Sequence, residues 1–237
     1  MGAEFVQAKG IYSFLKISEK RYLEEMLNGH LYMNKLSFFK QLITKIDHER
    51  ADNYEGAVHV LQADKVKMII GKGQQRHELK GLTNQVFVGR NDVLSWSVFC
   101  LYAIHPGKYL DKGIDDLDVY RKYLTLHSRL KRFGDYVLFI KNPDVFCERV
   151  VAACKRDNLN LTMSPIAYYD LEKHHGAIPD QLIGLVKPDK YKHQNEYRII
   201  IRNAPTDGPY KLDVGSLSDI TTMFKFDEFN DAIEVSV

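Results

Sequence analysis

The run Val93–Ala103 (VLSWSVFCLYA) constrains the fold more than any other segment. It is rich in aromatic and β-branched side chains, so it reads as a strand buried within a sheet. Shorter strand-like runs surround it at Gly10–Phe14, His30–Asn34, Val58–Ile70, His77–Val88, Tyr136–Ile140, Ile166–Tyr169, Tyr197–Arg202 and Ala232–Val237. Gly71-Lys72-Gly73 falls between two of these runs as a hairpin connection. Helical signals interleave with the strands. Ser18 is placed to cap a helix carrying Tyr22, Leu23, Met26 and Leu27, and Asn28-Gly29 supplies its left-handed stop. Asp115–Phe133 has acidic residues at its start and Lys131 and Arg132 at its end, as the helix dipole favours. Pro143 opens a helix to about Arg156, with Val145, Phe146, Val150 and Ala153 on one face. Strands and helices mixed this way make an α+β chain, expected as one domain over residues 6–237, with Met1–Phe5 (MGAEF) read as appended residues.

A chain of 237 residues buries enough surface to hold a core without disulfides or a structural metal. The 33 Lys and Arg nearly balance the 31 Asp and Glu, so any nucleic-acid contact has to come from a local patch. Cys100, Cys147 and Cys154 are sparse and odd in number, which argues against a secreted disulfide framework and for a cytoplasmic setting. No apolar run of about 18 residues and no basic-then-apolar leader is visible, so no membrane association is expected.

The most specific local feature is Lys192-His193-Gln194-Asn195-Glu196-Tyr197-Arg198, followed by three isoleucines. Period-two alternation places Gln194, Glu196 and Arg198 on one face of a strand and Tyr197 and Ile199 on the other. A carboxylate held beside an amide on a rigid element can bond a sugar hydroxyl and stabilise a cationic sugar centre. The plainer alternative is an edge strand whose Glu196 and Arg198 form a surface ion pair. Ser95 and Ser97 interrupt the apolar Val93–Ala103 run on one face and suit a ligand wall, with Trp96 packing on the core side. Tyr12 and Ser13 on the first strand and Tyr32 on the second suit stacking on a nicotinamide or base, with core packing the commoner use of such rings. The polar Lys40–Gly56 stretch, with Asp47, His48, Glu49, Arg50, Asp52 and Glu55, suits a surface loop or short helix bordering a cleft. Gly71-Lys72-Gly73 lacks the spacing of a phosphate-binding loop, and the histidines and cysteines show no metal-ligand spacing, so no metal is expected.

Two resemblances follow from these segments. Ile11-Tyr12-Ser13-Phe14, the helix ending at Asn28-Gly29, Leu31-Tyr32-Met33-Asn34, Leu94-Ser95-Trp96-Ser97 and Gln194-Asn195-Glu196-Tyr197-Arg198 resemble, in order, the motifs of the ADP-ribosyltransferase superfamily. The chain is also similar to a poorly characterised bacterial and phage family whose members carry an acidic Asn-Asp-Pro-x-Glu-Gly loop, a Leu-Ser-Phe-Ser-like strand and a final Glu-x-Arg. Here Asp52-Asn53-Tyr54-Glu55-Gly56 stands at the loop.

The resemblance implies a split antiparallel β-sheet scaffold with peripheral helices. It implies a mono-ADP-ribosyltransferase that moves ADP-ribose from NAD, as substrate, to a nucleic-acid base or a protein side chain. Glu196 and Gln194 would be catalytic, Tyr12, Ser13, Tyr32, Ser95 and Ser97 would bind NAD, and Asp52, Glu55 and Arg198 would bind substrate. The setting implied is a toxin or effector in phage defence or phage–host conflict, with an antitoxin or chaperone as partner. No Arg lies on Ile11–Phe14, where clostridial-toxin-like transferases carry one and this chain offers only Tyr12, Ser13 and the nearby Lys16. That departure motivates the alternative, a non-catalytic adaptor or nucleic-acid-binding protein on the same scaffold, with the basic runs Lys187–Lys192 and Tyr120–Lys131 as phosphate contacts.

Overall fold

The computed structural model describes residues 10–42, 52–107, 109 and 113–236. Its elements run β1 (Ser13–Ser18), α1 (Lys20–Leu27), β2 (His30–Lys35), α2 (Leu36–Gln41), β3 (Ala57–Leu61), β4 (Met68–Ile70), β5 (His77–Leu79), β6 (Val86–Gly89), α3 (Asn91–Leu94) and β7 (Ser97–Ile104). The second half holds α4 (Leu117–Leu124), β8 (Tyr136–Ile140), α5 (Pro143–Arg156), β9 (Leu161–Pro165), β10 (Ala167–Tyr169), β11 (Gly176–Ala177), β12 (Val186–Pro188), β13 (Glu196–Ile201), β14 (Tyr210–Asp213), β15 (Thr221–Lys225) and α6 (Phe226–Phe229). The α+β class expected from the sequence is the class observed.

Strand β7 is the spine of the main antiparallel sheet. One edge pairs with β13 along its length, from Ser97 opposite Ile201 to Tyr102 opposite Glu196. The other edge forks. Its start pairs with β2, which continues to β14, and its end pairs with β1, which continues to β8 and β15. Both faces of β13 are covered, which explains its unbroken Ile199-Ile200-Ile201 run. Ile199 and Ile201 join the larger core beneath α1 and α5, with Phe14, Phe99, Leu101, Phe146 and Tyr197. Ile200 joins Val98, Val58, Val60, Ile183 and Leu185 on the opposite face. A third cluster lies under the β1–β8 arm, around Leu15, Tyr102, Leu130 and Phe226.

Local chemistry accounts for several boundaries. Helix α5 begins at Pro143, where a missing N–H costs nothing, and Asn142 Oδ1 accepts from Val145 N at 3.1 Å. Gly29 takes φ +92° at the turn into β2, where a Cβ would meet the Gly215 carbonyl oxygen at 2.2 Å.

Other boundaries differ from the sequence reading. Glu19, not Ser18, precedes α1, and it makes no side-chain cap. The helix expected over Asp115–Phe133 is α4 followed by a 3₁₀ segment, Ser128–Phe133, because Thr125 turns extended after the Asp116-capped first turns. The Val58–Ile70 and His77–Val88 runs each divide into two strands, with β4 and β5 forming the hairpin expected around Gly71–Gly73. The strand expected at Ala232–Val237 is absent from its described residues; Thr221–Lys225 forms the edge strand instead. Met1–Phe5 and Asp47–Arg50 lie outside the described residues.

The Val93–Ala103 strand begins only at Ser97, since Asn91–Leu94 coils into a helical turn. Trp96 therefore lies just before the strand. It is partly buried against the second core, with the Arg202 guanidinium 4.7 Å from its ring centroid. Trp96→Ala is expected to lower stability by about 2 to 3 kcal/mol, below the range for a fully buried tryptophan, as read by thermal melting. An unchanged midpoint would show that the ring adds no packing.

Candidate functional site

At the start of β13 the sequence alternation is realised in part. Glu196 and Arg198 share a face with their cross-strand partners Tyr102 and Cys100, while Tyr197 and Ile199 enter the core. The strand is interior, paired with β7 and β9, so the edge-strand alternative does not hold. Gln194 is not on the strand. It ends a 3₁₀ turn, Asp189–Gln194, and Asn195 takes a left-handed φ of +36° before the strand begins. The turn nevertheless returns the Gln194 amide to the site.

There Lys187 Nζ donates to Gln194 Oε1 at 3.0 Å and also to Glu196 Oε2. Arg198 Nε donates to Glu196 Oε1, and the two terminal guanidinium nitrogens grip Glu55, Nη1 at 3.0 Å from Oε2. Nη1 also reaches the Gly184 carbonyl at 2.7 Å. Tyr168 OH accepts from Glu196 N at 2.9 Å. Glu55, Lys187, Glu196 and Arg198 are all buried, with Arg198 1% exposed. The Asp-Asn-Tyr-Glu-Gly loop and the Glu-x-Arg strand, far apart in sequence, are thus two halves of one internal latch.

The electrostatics follow from this packing. Burial alone would raise the Glu196 carboxyl, but Arg198 and Lys187 outweigh it and hold the group well below the usual carboxylate range. Burial opposes charge on Lys187, yet Glu196 and the other carboxylates leave it above its ordinary value. Asp52 behaves in the opposite sense. It is 1% exposed, its Oδ1 accepts from Tyr54 N at 2.9 Å, and its Oδ2 has no hydrogen-bond partner. Burial and the nearby Glu55 charge raise it to about 6. The cause is arithmetic: among the described residues Asp52, Glu55 and Glu196 share two cations, Lys187 and Arg198, and the carboxyl without an ion-pair partner is the one that holds its proton to higher pH.

The residues expected to hold a dinucleotide do not gather around Glu196. Ser95 is exposed at the end of α3, donating to the Asp92 carbonyl at 2.6 Å. Ser97 is buried at the far end of the β7–β13 ladder, about 17 Å along the strand from Glu196 and on the opposite face. Ser13 is buried and donates to the Ile140 carbonyl at 2.7 Å. Tyr12 is half-exposed, accepting from Tyr120 OH at 3.1 Å. Tyr32 lies on β2, which meets β7 at the opposite end from β1, so the two tyrosines do not form one aromatic wall. Lys16 donates to the Cys100 carbonyl at 2.7 Å.

The phosphate contacts expected in two basic runs are also partly engaged. Lys187 is inside the latch, Arg121 donates to the Ile233 carbonyl at 2.8 Å, and Lys131 pairs with Asp227. Burial pushes the Cys100 and Cys147 thiols up to about 12 and Cys154 to about 11, so none is an activated nucleophile. No group of metal-ligating side chains occurs among the described residues.

Sequence reasoning missed Lys187 as a partner of Glu196, placing it in a basic run of phosphate contacts. The signal was its setting: it interrupts the apolar Ile183-Gly184-Leu185-Val186 stretch just before Pro188. Comparison with protein-family models, curated proteins and solved structures finds no match to this chain.

Proposed function

We propose that the chain is a non-catalytic nucleic-acid-binding protein on a split-sheet scaffold resembling that of ADP-ribosyltransferases. The observation that carries this reading is the state of Glu196: buried, and held on both carboxylate oxygens by Arg198 and Lys187. A glutamate that stabilises a cationic sugar has to face that sugar across an open cleft. Here the positive partners are already the protein's own, and the serines and tyrosines of the expected dinucleotide site lie elsewhere. Glu196, Arg198 and Glu55 then serve to clamp the Asp52–Gly56 loop onto the sheet.

A transferase reading keeps one observation in its favour. Glu196 remains ionised at the start of β13, and each of its oxygens has a further lone pair for a ribose hydroxyl. On that reading NAD is the substrate, a base or protein side chain the acceptor, and an antitoxin the partner. Ligand-dependent melting separates the two. A ligand that binds the native state raises the midpoint, so nucleic acid is expected to shift the transition and NAD to leave it in place. A rise with NAD, together with label transfer from NAD that Glu196→Gln abolishes, would overturn the binding-protein reading.

A further inference from the structure

The chain's positive charge is unevenly placed. Residues 64–80 contain Lys65, Lys67, Lys72, Arg76 and Lys80 against Asp64 and Glu78, a local net charge of +3 where the whole chain carries +2. This segment is the β4–β5 hairpin with its flanks. Among the described residues the two strands pair only with each other, Met68 opposite Leu79 and Ile70 opposite His77. Every residue from 69 to 81 is exposed, including Ile69 at 41%, Ile70 at 58% and Leu79 at 42%. Alternation sorts the ribbon into two faces: Met68, Ile70 and Leu79 on one, and Ile69 and Glu78 with Lys67, which pairs with Glu78 at 3.2 Å, on the other. A two-stranded ribbon without a core of its own is marginal in water, so exposed isoleucines on an element with cationic flanks and a cationic turn point to a partner.

We propose that the 64–80 hairpin is a β-ribbon arm that docks on B-form DNA. Charge complementarity selects a polyanion, since Lys65, Lys67 and Lys80 flank the two strands at one end and Lys72 and Arg76 sit in the turn at the other. Residues 65–85 contain no Phe, Tyr or Trp, so the ribbon has no platform for stacking unpaired bases and no ring to seat at a lipid interface. A duplex remains, and a two-stranded ribbon fits the major groove of B-form DNA but not the deep, narrow groove of an RNA helix. Lys and Arg would neutralise phosphates, Gln74 and Gln75 at the turn would reach base edges, and the small apolar face would meet thymine methyls.

The proposal takes its ligand class from the binding-protein reading, and the test separates the two. A labelled DNA duplex is titrated by fluorescence anisotropy at several salt concentrations with wild type and with K67A/K72A/R76A/K80A. Wild type is expected to bind with a steep salt dependence. The variant is expected to lose at least tenfold in affinity and about 3 to 4 in the slope of log K against log salt, with its melting midpoint unchanged. Should its midpoint fall, Lys72→Glu at the exposed turn supplies the same comparison with a smaller loss. Duplex binding of equal affinity and slope in the variants overturns the arm while leaving the binding-protein reading in place. Tighter binding of wild type to single strands or to anionic vesicles than to duplex also overturns it. No binding to any nucleic acid overturns both.

Discussion

Glu196→Gln is expected to unfold about 10 °C below wild type, a loss of about 3 to 5 kcal/mol, because it removes one charge from a buried and otherwise satisfied cluster. Glutamine keeps the shape of glutamate, but it leaves Lys187 without an ionic partner and Arg198 with Glu55 alone. Two charged donors that face an amide lose most of what offsets their desolvation. Asp52 partly compensates. With Glu196 neutral, two carboxyls face two cations, so Asp52 becomes the better partner for Lys187 and takes up its proton at lower pH than in wild type. The stability loss therefore sits at the low end of the range at pH 8 and at the high end near pH 5. The sequence by itself suggests the reverse outcome, a fold indifferent to Glu196→Gln and an activity that collapses. A melting midpoint equal to wild type, coupled to loss of NAD-dependent labelling, would return Glu196 to a catalytic role.

The difference between those expectations shows which parts of this site spacing can reveal. Alternation along one strand is local, so Glu196 and Arg198 could be put on one face, and Tyr197 and Ile199 on the other, without knowing the sheet. Whether that face meets solvent depends on what covers it. The cover comes from Glu55, 143 residues before Arg198, and from Lys187, delivered by the parallel β10–β12 pair. No periodicity encodes such contacts. Ser95 and Ser97 illustrate the same limit from the other side. Two hydroxyls two apart imply a shared face only if both lie in the strand, and Ser95 is instead bonded back to the Asp92 carbonyl in a helical turn. Elements with their own end signals were legible almost to the residue, as in Pro143–Arg156 with its Asn142 cap. Thr221–Lys225 (TTMFK) was missed because it is short and has one exposed edge, and its pairing to β8 is what makes it a strand. The resemblance to the bacterial and phage family rests in part on two short segments, the acidic loop and the Glu-x-Arg run, that are distant in sequence. Its acidic loop and its Glu-x-Arg segment meet here as ion-pair partners.

Asp52 carries the second large effect, and its sign is opposite to that of most carboxylates. Its proton leaves at about 6 in the folded chain against an ordinary value of 3.8. Between those two pH values the folded state binds more protons than the unfolded state, so stability falls as pH rises, by about 3 kcal/mol in all. The penalty grows as pH rises through 6 and levels off about a unit above it; below about pH 4 it is absent. Glu196 contributes the other way, since its depressed carboxyl loses stability only as pH falls below its ordinary 4.5. The window from pH 4.5 to 6 thus isolates Asp52. Asp52→Asn imitates the protonated form: its Oδ1 still accepts from Tyr54 N, and an N–H replaces the oxygen that has no partner. The variant is expected to melt several degrees above wild type at pH 7.5, to lose the stability slope between pH 4.5 and 6, and to match wild type at pH 4. Melting of both proteins across that range decides it. A variant that is destabilised equally at pH 4 and pH 7.5 would mean that Asp52 is ionised and paired in the folded chain, and that the cluster has no surplus negative charge.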